Sequence, residues 1–182
     1  IPVTVRYNLL CDEPLFFSQI GGTPHGAVLR TALQQLLTAG YPPVNAPTAA
    51  LKHKIAAYYS VPVTKLDIQQ AILAFGPLVL STEWHQSWFH PVLGLLPKPD
   101  VVVGGHAIIA IGWDARGLRL RNSWGTSWGV GGDAYMPWAY LTHVREAWKA
   151  VDVIETPVAP LKYSVKFAAK ATVKVVAAFG PT

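Results

Sequence analysis

Apolar residues recur at helical spacing through residues 26–38, GAVLRTALQQLLT, where Val28, Leu29, Leu33, Leu36 and Leu37 fall on one face. Thr23 as N-cap with Pro24 just inside opens this helix, and Ala39-Gly40 followed by Pro42-Pro43 ends it. A shorter helix is predicted over Lys65–Phe75, capped by Thr64 or Asp67 and stopped by Gly76-Pro77. Between the two, Ile55–Val61 reads as a strand. After Pro77 the pattern changes to β: Leu78–Ser81, Ala107–Trp113, Leu118–Asn122 and Asp133–Met136 are short apolar runs bounded by Gly, Pro or Asp. Asp114–Gly117, DARG, makes a tight connection between two of them. Helices first and a mainly antiparallel sheet second define an α+β arrangement. There is no internal repeat.

Composition fits that pattern. The 182 residues are 51% hydrophobic and 14% charged, the size and balance of one compact domain with a sizeable core. Fifteen prolines and fifteen glycines favour many turns over a helical bundle. The longest run without polar side chains, Ala71 to Leu80, is too short to span a bilayer, which takes about 20 residues. The reading is therefore of a soluble protein. Ile1–Arg6 lacks the basic start and apolar stretch of a secretory signal, and a start at Ile1 instead of Met predicts that some upstream sequence is missing. With a single cysteine, Cys11, no disulfide forms within the chain.

The net charge of +5 is uneven. Residues 157–182 carry Lys162, Lys166, Lys170 and Lys174 and no acid, leaving eleven basic and ten acidic side chains before them. A nucleic-acid-binding domain more often carries its charge on the folded body, so no nucleic-acid partner is expected. The composition shift at Thr156-Pro157 divides the chain into a domain, 1–156, and a basic tail, 157–182. That tail is either a solvated terminus or an arm that engages a partner subunit or an acidic surface.

The chemistry-bearing stretch is 104–132, GGHAIIAIGWDARGLRLRNSWGTSWGVGG. A hairpin joining Ala107–Trp113 to Leu118–Asn122 makes neighbours of the residue before the first strand, His106, and the one ending the second, Asn122. An amide oxygen accepting from one imidazole nitrogen fixes the ring and leaves the other nitrogen free to pair with a thiolate. An indole nearby, from Trp124 or Trp128, would shield that bond from water.

The paired Gly104-Gly105, the 16-residue spacing from His106 to Asn122 and the NSWG run together strongly resemble the papain-like cysteine peptidases. In that family a glycine-flanked histidine and the asparagine of an NSWG motif meet across a hairpin. Gly21-Gly22 ahead of a helix is similar to the family's glycine pair that lines the substrate cleft, where a missing side chain lets an extended peptide approach. Gly105 would leave one wall of that cleft small. Gly76-Pro77 looks like the family's entry to a core strand. The resemblance covers about residues 1–156 and implies a peptide or protein substrate, no cofactor and no metal.

Its nucleophile is not recognisable. The family's cysteine, at a helix N-terminus, stands about 130–150 residues before its histidine, which places it about 25–45 residues ahead of Ile1. Cys11 is only 95 residues before His106 and is followed by Asp12 and Glu13, which raise a thiol's pKa where catalysis needs it lowered. Ser18 reads as a loop residue, and Gln19 does not match the family's oxyanion-stabilising glutamine. Two readings stand: an inactive papain-like module acting in an assembly, with 157–182 as its arm, or an active peptidase whose thiol lies upstream. A virion or secretion machine is a setting that suits the first.

Glu83, His85 and His90 in EWHQSWFHP raise the question of a metal. Spacing of five between the histidines fits neither one helical face nor one strand face, so the stretch reads as a polar loop. His25, His53 and His143 stand alone.

Overall fold

The computed structural model describes residues 13–23, 26–41 and 54–152. Ile1, Cys11, His25, His53 and the tail 157–182 lie outside the described residues. The elements run α1 (Glu13–Gln19), α2 (Leu29–Thr38), β1 (Ile55–Val61), α3 (Lys65–Phe75), β2 (Leu78–His85), β3 (Val102–Asp114), β4 (Gly117–Arg121), β5 (Asp133–Met136) and β6 (Val144–Asp152). Short 3-10 turns occupy Gln86–Phe89 and Trp138–His143.

The six described strands form one antiparallel sheet in the order β1-β6-β2-β3-β4-β5. The α+β reading holds. The last described strand, β6, was not anticipated, and it sits between β1 and β2. Its sequence, VREAWKAVD, buries only Val144 and Ala147, so it shows no clean alternation. α1 was also missed, although Pro14 in its first turn suits a helix start. Ser18 therefore belongs to a helix, near its C-terminal end, and not to a loop.

Three predicted boundaries shift, one of them at β3, which starts at Val102 and not at Ala107. α2 starts at Leu29 with Val28 as its N-cap, not at Thr23, whose backbone instead closes a small turn with Gly26. β2 runs on to His85, four residues past the expected end. Elsewhere local chemistry sets the ends as read. Thr64 Oγ1 accepts from Asp67 N at 3.1 Å to cap α3, and Gly76, at φ +80°, stops it before Pro77.

The core lies between α3 and the sheet. Ile68, Ala71 and Ile72 of α3 join Leu78 and Leu80 of β2, Ile108 and Ala110 of β3, Leu118 and Leu120 of β4, and Ala134 and Met136 of β5. Along β2 the side chains of Leu78, Leu80, Thr82 and Trp84 are buried in strict alternation. A register shift between Trp84 and His85 then buries His85 as well.

Two features hold the β4–β5 end together. Asp133 is 5% exposed and accepts from Arg119 Nη2 at 2.7 Å and from Arg121 Nε at 2.8 Å, tying β4 to the start of β5. Gly129 takes φ +57°, and a Cβ there would collide with the Asp133 carbonyl.

The Arg121 hydrogen bonds, aided by Arg119, hold the Asp133 carboxyl below its ordinary range. A depressed carboxylate contributes stability that is present above about pH 4 and lost as pH falls through its folded-state value. Asp133→Asn is expected to lower stability by about 1 kcal/mol at neutral pH, because both arginines are half in water. Urea midpoints measured from neutral to acid pH should fall more steeply below about pH 4 for the parent chain than for the variant. Parallel curves would show that the cluster is energetically silent.

Candidate active site

Strand register brings the sequence-predicted pair together. Ile109 pairs with Arg121, so Asn122, one residue on, stands opposite Ile108, and His106 is its diagonal neighbour on the same face. His106 lies inside β3 and not just before it, because the strand starts at Val102 and its first half pairs with β2, Thr82 facing His106. Asn122 follows directly after β4 and is 8% exposed.

His106 Nε2 is 3.0 Å from Asn122 Oδ1. The same oxygen accepts from Ser123 N at 2.9 Å, which settles the amide's orientation, since a backbone N–H needs an acceptor. Nε2 is therefore the donor, and in the neutral ring the lone pair is on Nδ1. Asn122 N donates to Gly132 O at 3.0 Å, so the glycine-rich loop after the motif anchors the asparagine backbone.

Three aromatic rings surround the imidazole or its cover. Trp124 lies 4.8 Å from His106, centroid to centroid, and stacks on Phe89 at 5.1 Å with the planes 5° apart. Trp84 lies 4.4 Å away on the other contact. Trp128, expected to shield the pair, takes another part: it is buried, and its Nε1 donates to Trp88 O at 3.1 Å, fastening the loop to the turn Gln86–Phe89. Trp84 was missed by sequence reasoning, though its buried place in the alternation of an extended β2 would have found it.

Burial lowers the His106 pKa from its ordinary value, opposed in part by the hydrogen bond to Asn122. Burial thus favours the neutral ring, which can accept a proton at Nδ1.

The glycines fare differently. Gly105 precedes His106 in β3, and a side chain there would meet only open space. Gly21, at φ +72°, and Gly22 close α1, with Gly22 N donating to Phe17 O at 2.9 Å and the Phe17 ring against Gly22. Among the described residues no hydrogen bond or ring contact links them to the His106–Asn122 pair. Gln19 ends α1, and its side-chain oxygen accepts from Gln35 of α2 at 3.4 Å.

The stretch 83–90 is not a polar loop. Trp84 and Phe89 build the site's aromatic surround, His90 is exposed, and His85 is 2% exposed at the end of β2. His143 does not stand alone: its Nδ1 meets both His85 Nε2 and Glu83.

The papain family cysteine protease profile matches residues 40–147, and this chain belongs to that family. A cathepsin B-like cysteine proteinase of Caenorhabditis elegans is 35% identical over 88 residues, 44% of this chain and 24% of its own length. Mouse cathepsin O is 37% identical over 76 residues, 38% of this chain and 24% of its own. The matches thus span about a quarter of each relative. Among solved structures, xylellain, a cysteine protease from Xylella fastidiosa, superposes with TM-score 0.65 at 22% identity, covering 77% of this chain and 69% of that one. A Carica candamarcensis cysteine protease gives 0.67 at 20% identity, covering 82% and 80%. Both share the fold.

A histidine held neutral by burial binds protons less readily folded than unfolded, so stability should rise with pH up to about 6.5, the ordinary histidine value. Asn122→Ala removes the one contact that favours the charged ring. Ring-proton NMR is expected to show His106 titrating below that ordinary value, and lower still in Asn122→Ala. An unchanged or raised value in the variant would show that the 3.0 Å contact does not hold the ring.

Proposed function

We propose that His106 and Asn122 form the acid–base half of a site that hydrolyses peptide or isopeptide bonds through a thioester, with the thiol supplied from outside the described residues. The observation that carries this is the Nε2–Oδ1 hydrogen bond of 3.0 Å, which leaves Nδ1 free. In that scheme Nδ1 takes the thiol proton, the thiolate attacks the carbonyl carbon, and the imidazolium returns the proton to the departing amine. It then draws a proton from the water that cleaves the thioester. Asn122 holds the ring's tautomer and plane throughout. Gly105, with open space beside it, leaves room for a substrate backbone, and Gly21-Gly22 take the cleft role that the family likeness assigns them.

Two further polar atoms beside His106 lack a partner among the described residues. Asn122 Nδ2 and Trp84 Nε1 are buried donors with no acceptor, each costing about 1–3 kcal/mol while unpaired. Both belong to residues in contact with His106.

The second reading is a peptidase fold retained as a binding or structural module, with residues 157–182 as its attachment arm. What favours it is that the one cysteine of the sequence, Cys11, is followed by two carboxylates, Asp12 and Glu13.

The test compares the 182-residue chain with a form that also carries the coding sequence ahead of Ile1. The short chain should neither hydrolyse a fluorogenic peptide nor take an epoxide thiol label. The longer form should do both, with kcat/KM falling by about 10²–10⁴ in His106→Ala. An inactive, unlabelled long form would establish the module reading. Labelling of Cys11 in the short chain, abolished by His106→Ala, would overturn both by making Cys11 the thiol.

A further inference from the structure

Among the described residues, a second convergence of chemistry-bearing side chains joins Glu83 and His85 of β2 to His143, the residue before β6. One ligand atom from each lies within 4.8 Å of the other two. His85 Nε2 is 3.0 Å from His143 Nδ1, which is 3.1 Å from Glu83 Oε2.

The protons are decided by the neighbours. His85 Nδ1 is 2.8 Å from the Asp100 carbonyl, which can only accept, so Nδ1 bears the hydrogen. The neutral ring then turns the lone pair of Nε2 toward His143. Glu83 Oε2 accepts as well. A single proton on His143 Nδ1 is left to serve two acceptors at once.

We propose that this cluster is a binding site for a divalent transition metal of the zinc type, with His85 Nε2, His143 Nδ1 and Glu83 Oε2 as ligands. The chemistry is that of a three-ligand site, two imidazoles and one carboxylate, with a fourth position left for water. Imidazole nitrogens favour zinc-type ions over magnesium or calcium. Donors about 2.1 Å from a tetrahedral zinc stand about 3.4 Å apart, so the separations of 3.0 and 3.1 Å to His143 Nδ1 open by a few tenths of an ångström, while His85 Nε2 and Glu83 Oε2, within 4.8 Å of each other, settle to the same spacing. On binding, the proton on His143 Nδ1 leaves for solvent or for the ring's other nitrogen.

The surroundings support the ligands in the manner of a metal site. The His85 ring is fixed by its N–H to a backbone carbonyl, one of the usual partners behind a ligating histidine. Arg145 binds the other carboxylate oxygen, Glu83 Oε1, and leaves Oε2 facing the histidines. The His143 backbone is held by Thr82, whose Oγ1 donates to its carbonyl at 3.0 Å. By alternation Glu83 lies on the opposite face of β2 from Trp84 and His106, so this site is separate from the candidate active site. Trp88 bridges them, touching His85 at 4.6 Å and Trp84 at 5.4 Å. The ion would pin β2 to the start of β6 and steady the aromatic surround of His106.

The experiment is calorimetric titration of the full 182-residue chain with Zn²⁺ alone, with Co²⁺ absorption reporting the ligand set. One ion per chain is expected, with nitrogen-ligated Co²⁺ bands and a raised melting temperature that a chelator reverses. Glu83→Gln and His143→Ala, both partly exposed positions, should each weaken binding at least about tenfold while keeping the parent far-UV spectrum. His106→Ala and His90→Ala should bind as the parent does. No stoichiometric binding, or binding that survives both ligand substitutions, would overturn the proposal, as would loss of binding in His106→Ala or His90→Ala.

Discussion

The pairing of β2 with β3 is the constraint on which everything at the site depends. It runs from Leu78 opposite Ala110 to His85 opposite Val102, so both faces of the site's surroundings follow from one register. On one face Thr82, Trp84, His106 and Ile108 lie side by side. On the other Glu83 turns toward β6 and His143. A slip of one residue would exchange those faces, placing the tryptophan where the carboxylate stands. The buried alternation of Leu78, Leu80, Thr82 and Trp84 makes that slip costly, because each apolar side chain would leave the core for water.

Legibility followed how local the cause was. α3 read correctly because Thr64, Gly76 and Pro77 mark its ends in sequence. That His106 and Asn122 would touch was legible because a tight turn at Asp114–Gly117 fixes which residues can meet, and the family motif pointed to the same two. β6 could not be read in the same way. Its membership in the sheet is decided by partners at Ile55–Val61 and Val79–Thr82, far away in the chain. The same distance hid His143, which reaches Glu83 only because β6 lies beside β2.

The segment EWHQSWFHP shows what spacing can and cannot tell. Measured between His85 and His90, five residues match no regular face. The arrangement is irregular for that reason: a strand with a register shift at its end gives way to a 3-10 turn. Trp84, Trp88 and Phe89 thereby reach the site's aromatic cluster, while His85 turns elsewhere and His90 faces water. Aromatic density was the usable signal there, and polarity the misleading one.

The place of β6 in the sheet also bears on how the chain acquires its structure. Among the described strands β1 has β6 as its only sheet neighbour, so residues 55–61 wait for residues 144–152 before that ladder can form. During synthesis the nascent chain therefore carries two unsatisfied strand edges, on β1 and on β2, until most of the domain has been made. Pairings this distant must meet the entropy of closing a long loop before they give anything back. Closure of the sheet thus rests on contacts between distant stretches of chain, the kind that slows folding most.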